Sequence, residues 1–365
     1  MPTAKVHRIS AAAPDDVRGI EDAIIGGRID PDGIVAIFGK TEGNGCVNDF
    51  TRGYATQSLG LMLHRFLPRE RAAEVCLVMS GGTEGGMAPH WIVFERCENS
   101  EGDQPALALG QSHTPALPAE HLGRLGQVEQ VVAGVRSAMA AASIDSVSDV
   151  HFVQIKCPLL TAQRIAEADS RGARVAVRDT LRSMGLSRAA TALGIAVALG
   201  EVQRASLSDA AIGADFEMWS GRASCSAGIE LSNHEIVVLG MSRSWSGPLA
   251  IGHAVMADGI DTEPVRATLQ RLGIRANGQL SARERNRVVA VLAKAEASHD
   301  GLLRGHRHTM LDDSDISSTR HARAFVCGAL ASVFGHAEIY VSGGAEHQGP
   351  DGGGPVALIV DRHRL

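Results

Sequence analysis

Three short stretches decide how this chain is read: Ser80-Gly-Gly-Thr-Glu84, Ser226-Ala-Gly-Ile-Glu230 and Ser342-Gly-Gly-Ala-Glu346. The first and third follow matching apolar runs, AEVCLVMS (73–80) and AEIYVS (337–342). Each of the three leads into a further apolar run: Trp91 to Phe94, Ile236 to Leu239 and Val356 to Val360. The runs are short, rich in β-branched residues and bounded by Gly or Pro, which predicts strands rather than helices. Self-similarity at this spacing predicts a repeated structural unit.

Lysine usage points the same way. Only four of the 35 basic residues are lysines: Lys5, Lys40, Lys156 and Lys294. Lys40 closes IVAIFGK, Lys156 closes VHFVQIK and Lys294 closes RVVAVLAK, placing them 40, 70 and 48 residues ahead of the three serines. Between each lysine and its serine an arginine opens a small-residue segment with apolar positions at helical spacing: Arg52, Arg188 and Arg323. Arg320 is an alternative to Arg323 in poorer register. A helix-like stretch precedes each lysine run: DDVRGIEDAI, GQVEQVVAGVRSAM and EPVRATLQRLGI. The repeat therefore reads as helix, strand ending in Lys, Arg-led helix, strand ending in Ser, strand. Polar breaks at 98–105 and 258–263 divide the chain into unit A (1–104), unit B (112–250) and unit C (255–365). The expected fold is α/β, with three pseudo-symmetric repeats around a pseudo-three-fold axis and an active site at its centre.

Composition excludes several classes. A length of 365 residues suits two or three domains, and 44% hydrophobic content is enough for a buried core. The net charge of −6 and only 13 aromatic residues argue against a nucleic-acid partner. The longest nearly apolar stretch, Ala189 to Leu199, is far short of the ~20 residues of a membrane span. The start, MPTAKVHRIS, carries no apolar secretory core, and six cysteines are scattered without a C-x-x-C pair. Reduced, packed thiols and a cytoplasmic location are the expectation.

The repeated trio has a chemical logic. A serine hydroxyl is a weak nucleophile until a base takes its proton, and a buried lysine with a lowered pKa can be that base. Arginine cannot substitute, because guanidinium stays protonated. A glycine after the serine lets substrate approach the backbone and frees amide N–H groups for an oxyanion. An arginine fork can hold a carbonyl or enolate oxygen. Taken singly, a Ser-Gly-Gly is a turn, a strand-end lysine a solvated charge, and a helix-opening arginine a surface group. Folding alone rarely demands the same ionisable trio three times, so a shared polar centre is expected.

Competing motifs fail. Gly39-Lys40-Thr41 resembles the end of a phosphate-binding loop, but Gly33 is one residue too far upstream. His306-Arg-His308 has zinc-hydrolase spacing without a convincing strand before it, and reads as a solvated loop. There is no H-E-x-x-H and no G-x-S-x-G, and scattered histidines disfavour a catalytic zinc. The segment from Ala345 to Pro355 is rich in Gly and Pro, whose tight turns can aim carbonyl oxygens at a hard cation. It reads equally as an ordinary connection.

The motifs FGKTEGNGCVND, VMSGGTEGG, RASCSAGIE and TRHARAF…VSGGAEHQGP resemble, in order and over essentially the whole chain, the cyclic amide hydrolase family of cyanuric acid hydrolases and barbiturases. The resemblance implies three α/β units around a central site. It implies that Arg52, Arg188 and Arg323, with Ser80-Gly81, Ser226-Ala227 and Ser342-Gly343, hold a small cyclic amide. Ser226 would be the nucleophile and Lys156 its general base, with Lys40 and Lys294 as supporting lysines. The reaction would open cyanuric acid to carboxybiuret, which decarboxylates to biuret. A structural divalent cation, Mg2+ or Ca2+, is implied at Glu296 and at Ala345, Gln348, Gly349, Pro350 and Gly353, and a homotetramer is usual. Barbituric acid opened to ureidomalonate is the alternative within this chemistry, and a non-catalytic ring-binding scaffold is the alternative outside it.

Overall fold

The computed structural model describes residues 1–98, 104–275 and 277–364. The residues 99–103, within the first polar break, lie outside them. The lysine runs form strands buried along nearly their whole length, β2 (Ile34–Thr41), β6 (Val150–Pro158) and β10 (Val288–Ala295). Continuous apolar character fits strands covered on both faces. The serine runs form β3 (Cys76–Gly81), β7 (Ala223–Gly228) and β13 (Tyr340–Gly343), each parallel to its lysine strand. The closing runs form β4 (His90–Glu98), β8 (Glu235–Ser242) and β14 (Gly354–Asp361), antiparallel on the other side of the lysine strand.

Each sheet has a fourth strand that the sequence reading did not foresee. These are β1 (Pro2–Ser10), β5 (Ala106–His113) and β9 (Leu249–Met256), which pair antiparallel with the closing strands. The three sheets consequently share one order: leading, closing, lysine, serine strand. Strands β5 and β9 straddle the expected limits at 112 and 250–255, because their pairing starts at Ala106 and Leu249. A register shift falls at the same place in every lysine strand, at Ile34/Ala36, Val150/Phe152 and Val288/Ala290. A bulge repeated three times at one position is a property of the repeat, not an accident of one sheet.

The foreseen leading helices are α1 (Arg18–Ile25), α4 (Leu125–Ala141) and α7 (Glu263–Arg271). The arginine helices are α2 (Phe50–Leu63), α6 (Thr180–Ala198) and α9 (Ser318–Phe334), with the short α3 (Arg69–Glu74), α5 (Ala162–Ser170) and α8 (Ala282–Arg287) between elements. Only Arg52 stands in a first turn. Arg188 lies in the middle of α6, whose N-cap is Asp179, so that helix starts eight residues before the arginine expected to open it. The nearly apolar stretch 189–199 is the C-terminal half of α6, buried almost all round because it packs on α4 and β7. His306 lies in a small exposed hairpin of β11 (Leu302–Leu303) and β12 (His306–Arg307). No helix among the described residues is long and apolar enough to cross a membrane.

The three serine strands touch one another, β3 with β7, β3 with β13 and β7 with β13. One core cluster draws on all three sheets, including Phe38 and Phe94, Phe152 and Ile155, and Leu292 and Tyr340. The serines therefore meet at the centre of the molecule.

Candidate active site

Parallel pairing sets each lysine directly opposite its serine: Lys40 with Ser80, Lys156 with Ser226, Lys294 with Ser342. All three lysines are 1% exposed, which is exceptional for a residue type that is almost never buried unpaired. One cavity is lined by Arg52, Ser80, Gly81, Arg188, Ser226, Ala227, Arg323, Ser342 and Gly343, with Gly45, Met79 and Met184. All the serines and arginines singled out from sequence come together here. Gly45, Met79 and Met184 were not singled out; only Met79 carried a signal, being next to a motif serine.

The lysines bridge units. Lys156 Nζ donates to the Met79 carbonyl at 2.8 Å, and Lys294 Nζ donates to the Cys225 carbonyl at 2.9 Å, each the residue before the neighbouring unit's serine. Lys294 also donates to Ser342 Oγ at 3.2 Å and Lys40 to Ser80 Oγ at 3.2 Å. Ser226 Oγ lies 3.2 Å from Ser342 Oγ. Burial pushes all three amines below their usual range. Nearby Arg323 adds to the effect at Lys40, and Arg188 helps bring Lys294 to about 7. A lysine in this condition can accept a proton near neutrality.

The glutamates four residues after each serine acquire a role. Glu84 pairs with Arg323 at 2.5 Å and Glu346 with Arg188 at 2.6 Å, each across a unit boundary. Burial raises both carboxyls, but the guanidinium partners win and hold them below their ordinary value. By the same pattern Glu230 should take Arg52. Instead it forms an ion pair with Lys156 at 2.8 Å. Arg52 turns to the carbonyls of Gly45 and Cys46, at 3.1 and 2.7 Å, and its buried Nε has no hydrogen-bond partner. The backbone marks the same break. Gly82 and Gly344 sit at φ +97° and +74°, whereas Gly228, at the corresponding place, does not adopt positive φ. The sequence repeated these glutamates in register, but their pairing across units left no local trace.

The expected cation ligands gather at one side of unit C. Glu296, Ala345, Gly349 and Pro350 line a cavity of about 240 Å³. Gln348 is buried beside it, with its side chain accepting from Cys225 N at 2.6 Å, and Gly353 N donates to the Pro350 carbonyl at 2.9 Å. Burial and the neighbouring Glu346 push the Glu296 carboxyl up. A buried acid beside a second carboxylate and several carbonyls is chemistry that fits a hard cation.

Comparison with known proteins follows this geometry. A family model described as amidohydrolase ring-opening protein matches residues 5–361. A cyanuric acid amidohydrolase of Azorhizobium caulinodans is 65% identical over 363 residues, covering 99% of each chain. One from Pseudomonas sp. (strain ADP) is 51% identical, covering 97% of this chain and 98% of its own. The crystal structure of a cyanuric acid hydrolase from A. caulinodans superposes with a TM-score of 0.93 over 100% of both chains at 65% identity. A second solved cyanuric acid hydrolase, described as an innovation by structural concatenation, matches with a TM-score of 0.93 at 50% identity, over 99% of this chain and 100% of that one.

Proposed function

The chain belongs to the ring-opening amidohydrolase family and is an enzyme acting on cyclic amide C–N bonds, and from that premise we propose that it opens cyanuric acid with Ser226 as nucleophile and Lys156 as general base. The observation that carries the reading is the convergence on one cavity of three arginines and three serines, each serine register-matched to a buried lysine. A ring with three equivalent carbonyls and three N–H groups matches a lining that repeats three times.

Ser226 Oγ bonds to a ring carbonyl carbon while its proton passes to neutral Lys156 Nζ, and the carbonyl electrons move onto oxygen. Collapse of this intermediate breaks the ring C–N bond, and the leaving nitrogen takes the proton from Lys156. Water then attacks the acyl-enzyme, giving its proton to Lys156, which returns it to the departing serine oxygen. The product is carboxybiuret, which loses carbon dioxide to give biuret. Arg52, Arg188 and Arg323 grip substrate oxygens. Ser80-Gly81, Ala227 and Ser342-Gly343 offer hydroxyl and backbone donors to the ring. Lys40 and Lys294 act on the other two serines, donating to Ser80 Oγ and Ser342 Oγ and polarising them toward the ring.

Glu296, with the carbonyls of Ala345, Gln348, Gly349, Pro350 and Gly353, would hold a structural Mg2+ or Ca2+, which supplies positive charge and fixes the loop. A homotetramer is the assembly expected, and sedimentation equilibrium tests it.

The purified protein should release biuret from cyanuric acid, and Ser226→Ala should abolish release while still binding the ring. A second reading has one observation in its favour: Lys40 and Lys294 are hydrogen-bonded to Ser80 and Ser342, whereas Lys156 engages Met79 and Glu230. Full activity in Ser226→Ala together with loss in Ser80→Ala or in Ser342→Ala would move the nucleophile to unit A or unit C. Barbituric acid assayed alongside decides between the two rings.

A further inference from the structure

Away from the serine centre, Cys76 at the start of β3, His113 at the end of β5 and Glu235 at the start of β8 converge where units A and B meet. Their ligand atoms all lie within 4.8 Å of one another. The Cys76 Sγ to His113 Nε2 separation is 3.7 Å. Ligands at Zn–S and Zn–N lengths of about 2.3 and 2.0–2.1 Å on a tetrahedral ion stand roughly 3.6 Å apart. The observed spacing is thus that of two ligands on one ion. Leu77 N donates to Glu235 Oε2 at 3.0 Å, which orients the carboxylate and leaves it lone pairs to spare.

The repeat itself does not require this set. His113 and Glu235 are cross-strand partners. The corresponding pairs are Ser10 with His90 in unit A and Val255 with Pro355 in unit C. Four residues ahead of the other two serines stand Arg222 and Glu338, not cysteine. One junction out of three therefore carries a soft sulfur, an imidazole and a carboxylate. The sulfur is buried and the imidazole is open to solvent, which gives an ion an entry path on the His113 side and shields the sulfur from water.

We propose that Cys76, His113 and Glu235 bind a borderline-soft divalent cation of the Zn2+ class, with water as fourth ligand, tying β3 of unit A to β5 and β8 of unit B. Thiolate with imidazole selects such a metal over Mg2+ or Ca2+, and binding releases the thiol proton to solvent. The ion is a staple between units and takes no part in ring opening, although Glu235 is the cross-strand partner of Lys156.

The test uses the full chain, stripped with a chelator, refilled with excess Mg2+ and titrated with Co2+. One equivalent should produce a thiolate-to-cobalt charge-transfer band with tetrahedral d–d absorption, displaced by Zn2+. Cys76→Ser should lose the charge-transfer band, and His113→Ala, at an exposed position, should weaken Co2+ binding at least about tenfold. Circular dichroism before metal addition establishes that each variant is folded. Absence of the band in the folded parent, or its survival in Cys76→Ser, would overturn the proposal, whatever the outcome of the cyanuric acid assay.

Discussion

Glu230 is the residue at which the three-fold pattern breaks, and the break falls on the lysine assigned as base. Burial lowers the Lys156 pKa, Glu230 opposes that by favouring the charged amine, and Arg52 adds to the lowering, with the net result below the ordinary 10.5. Turnover needs the neutral amine, so kcat should climb with pH until Lys156 is deprotonated. Removing the opposing carboxylate charge in Glu230→Gln lowers the Lys156 pKa further, so the rising limb of the kcat profile should move to lower pH. A limb that stays in place, or moves up, would show that this carboxylate does not set the base. Lys156→Arg keeps the charge but cannot give up its proton, and should cost about 10²–10⁴ in kcat. Ring affinity, measured by calorimetry with an unreactive ring analogue, should stay near the parent value. The arginine grip has its own probe in Gly344. A Cβ there would lie 2.5 Å from Arg188 Cζ at φ +74°. Gly344→Ala should therefore displace the guanidinium and raise KM more than it lowers kcat.

Two elements from unit C hold the strand that carries Ser226. Gln348 accepts from Cys225 N and Lys294 donates to Cys225 O, so the residue before the nucleophile is clamped at both backbone groups. The loop that carries Gln348 and the serine strand are in this way one mechanical piece. Gln348→Ala would strand a buried N–H, which costs about 1–3 kcal/mol and should appear as a lower denaturation midpoint together with reduced turnover. Mg2+ or Ca2+ added to the chelator-stripped parent should raise its melting temperature. The chelator-stripped Glu296→Gln variant should not respond, and an equal response in both would place the cation elsewhere. Much at this scale was legible in sequence. The lysine strands and the first and third serine strands are apolar runs ending in a repeated polar residue, and helix-like stretches precede the lysine runs. The leading strand β1 was missed for a physical reason: PTAKVHRIS is mostly half-exposed and carries little apolar alternation, whereas β5 and β9 are mostly buried and fell across the expected unit limits. The start of α6 was missed because its first two turns, TLRSMGLS, mix Thr, Ser, Arg and Gly with scattered apolar residues and carry no plain apolar period, so the helix became visible only in its small-residue second half. The glutamate–arginine pairs join residues 158 and 239 positions apart, and no local pattern announces a partner at that distance. The Cys76–His113–Glu235 cluster was hidden likewise, being assembled by the packing of one unit on another.

At the scale of the whole molecule, three units share one interior, and this decides how the protein unfolds. Tyr340 of unit C is fully buried, with its ring 5.6 Å from that of Phe38 in unit A, in a cluster that also takes in Phe152 of unit B. A chain of this length would ordinarily unfold in separate domain steps. Here no unit can expose its serine strand without stripping apolar cover from the other two, so the units should lose structure together. Truncating Tyr340 to Ala removes contacts on that common core and should cost about 3–5 kcal/mol, the range for deleting a large buried ring. The informative quantity is where the loss appears. Trp91 lies in unit A and Trp245 in unit B, both buried, while α9 contributes helical signal from unit C. In urea, tryptophan fluorescence and helical circular dichroism should shift to lower midpoints by the same amount and remain superimposable. A helical transition that separates from the fluorescence transition in Tyr340→Ala would mean that unit C folds on its own. The centre would then be an interface between finished domains rather than the core that makes them.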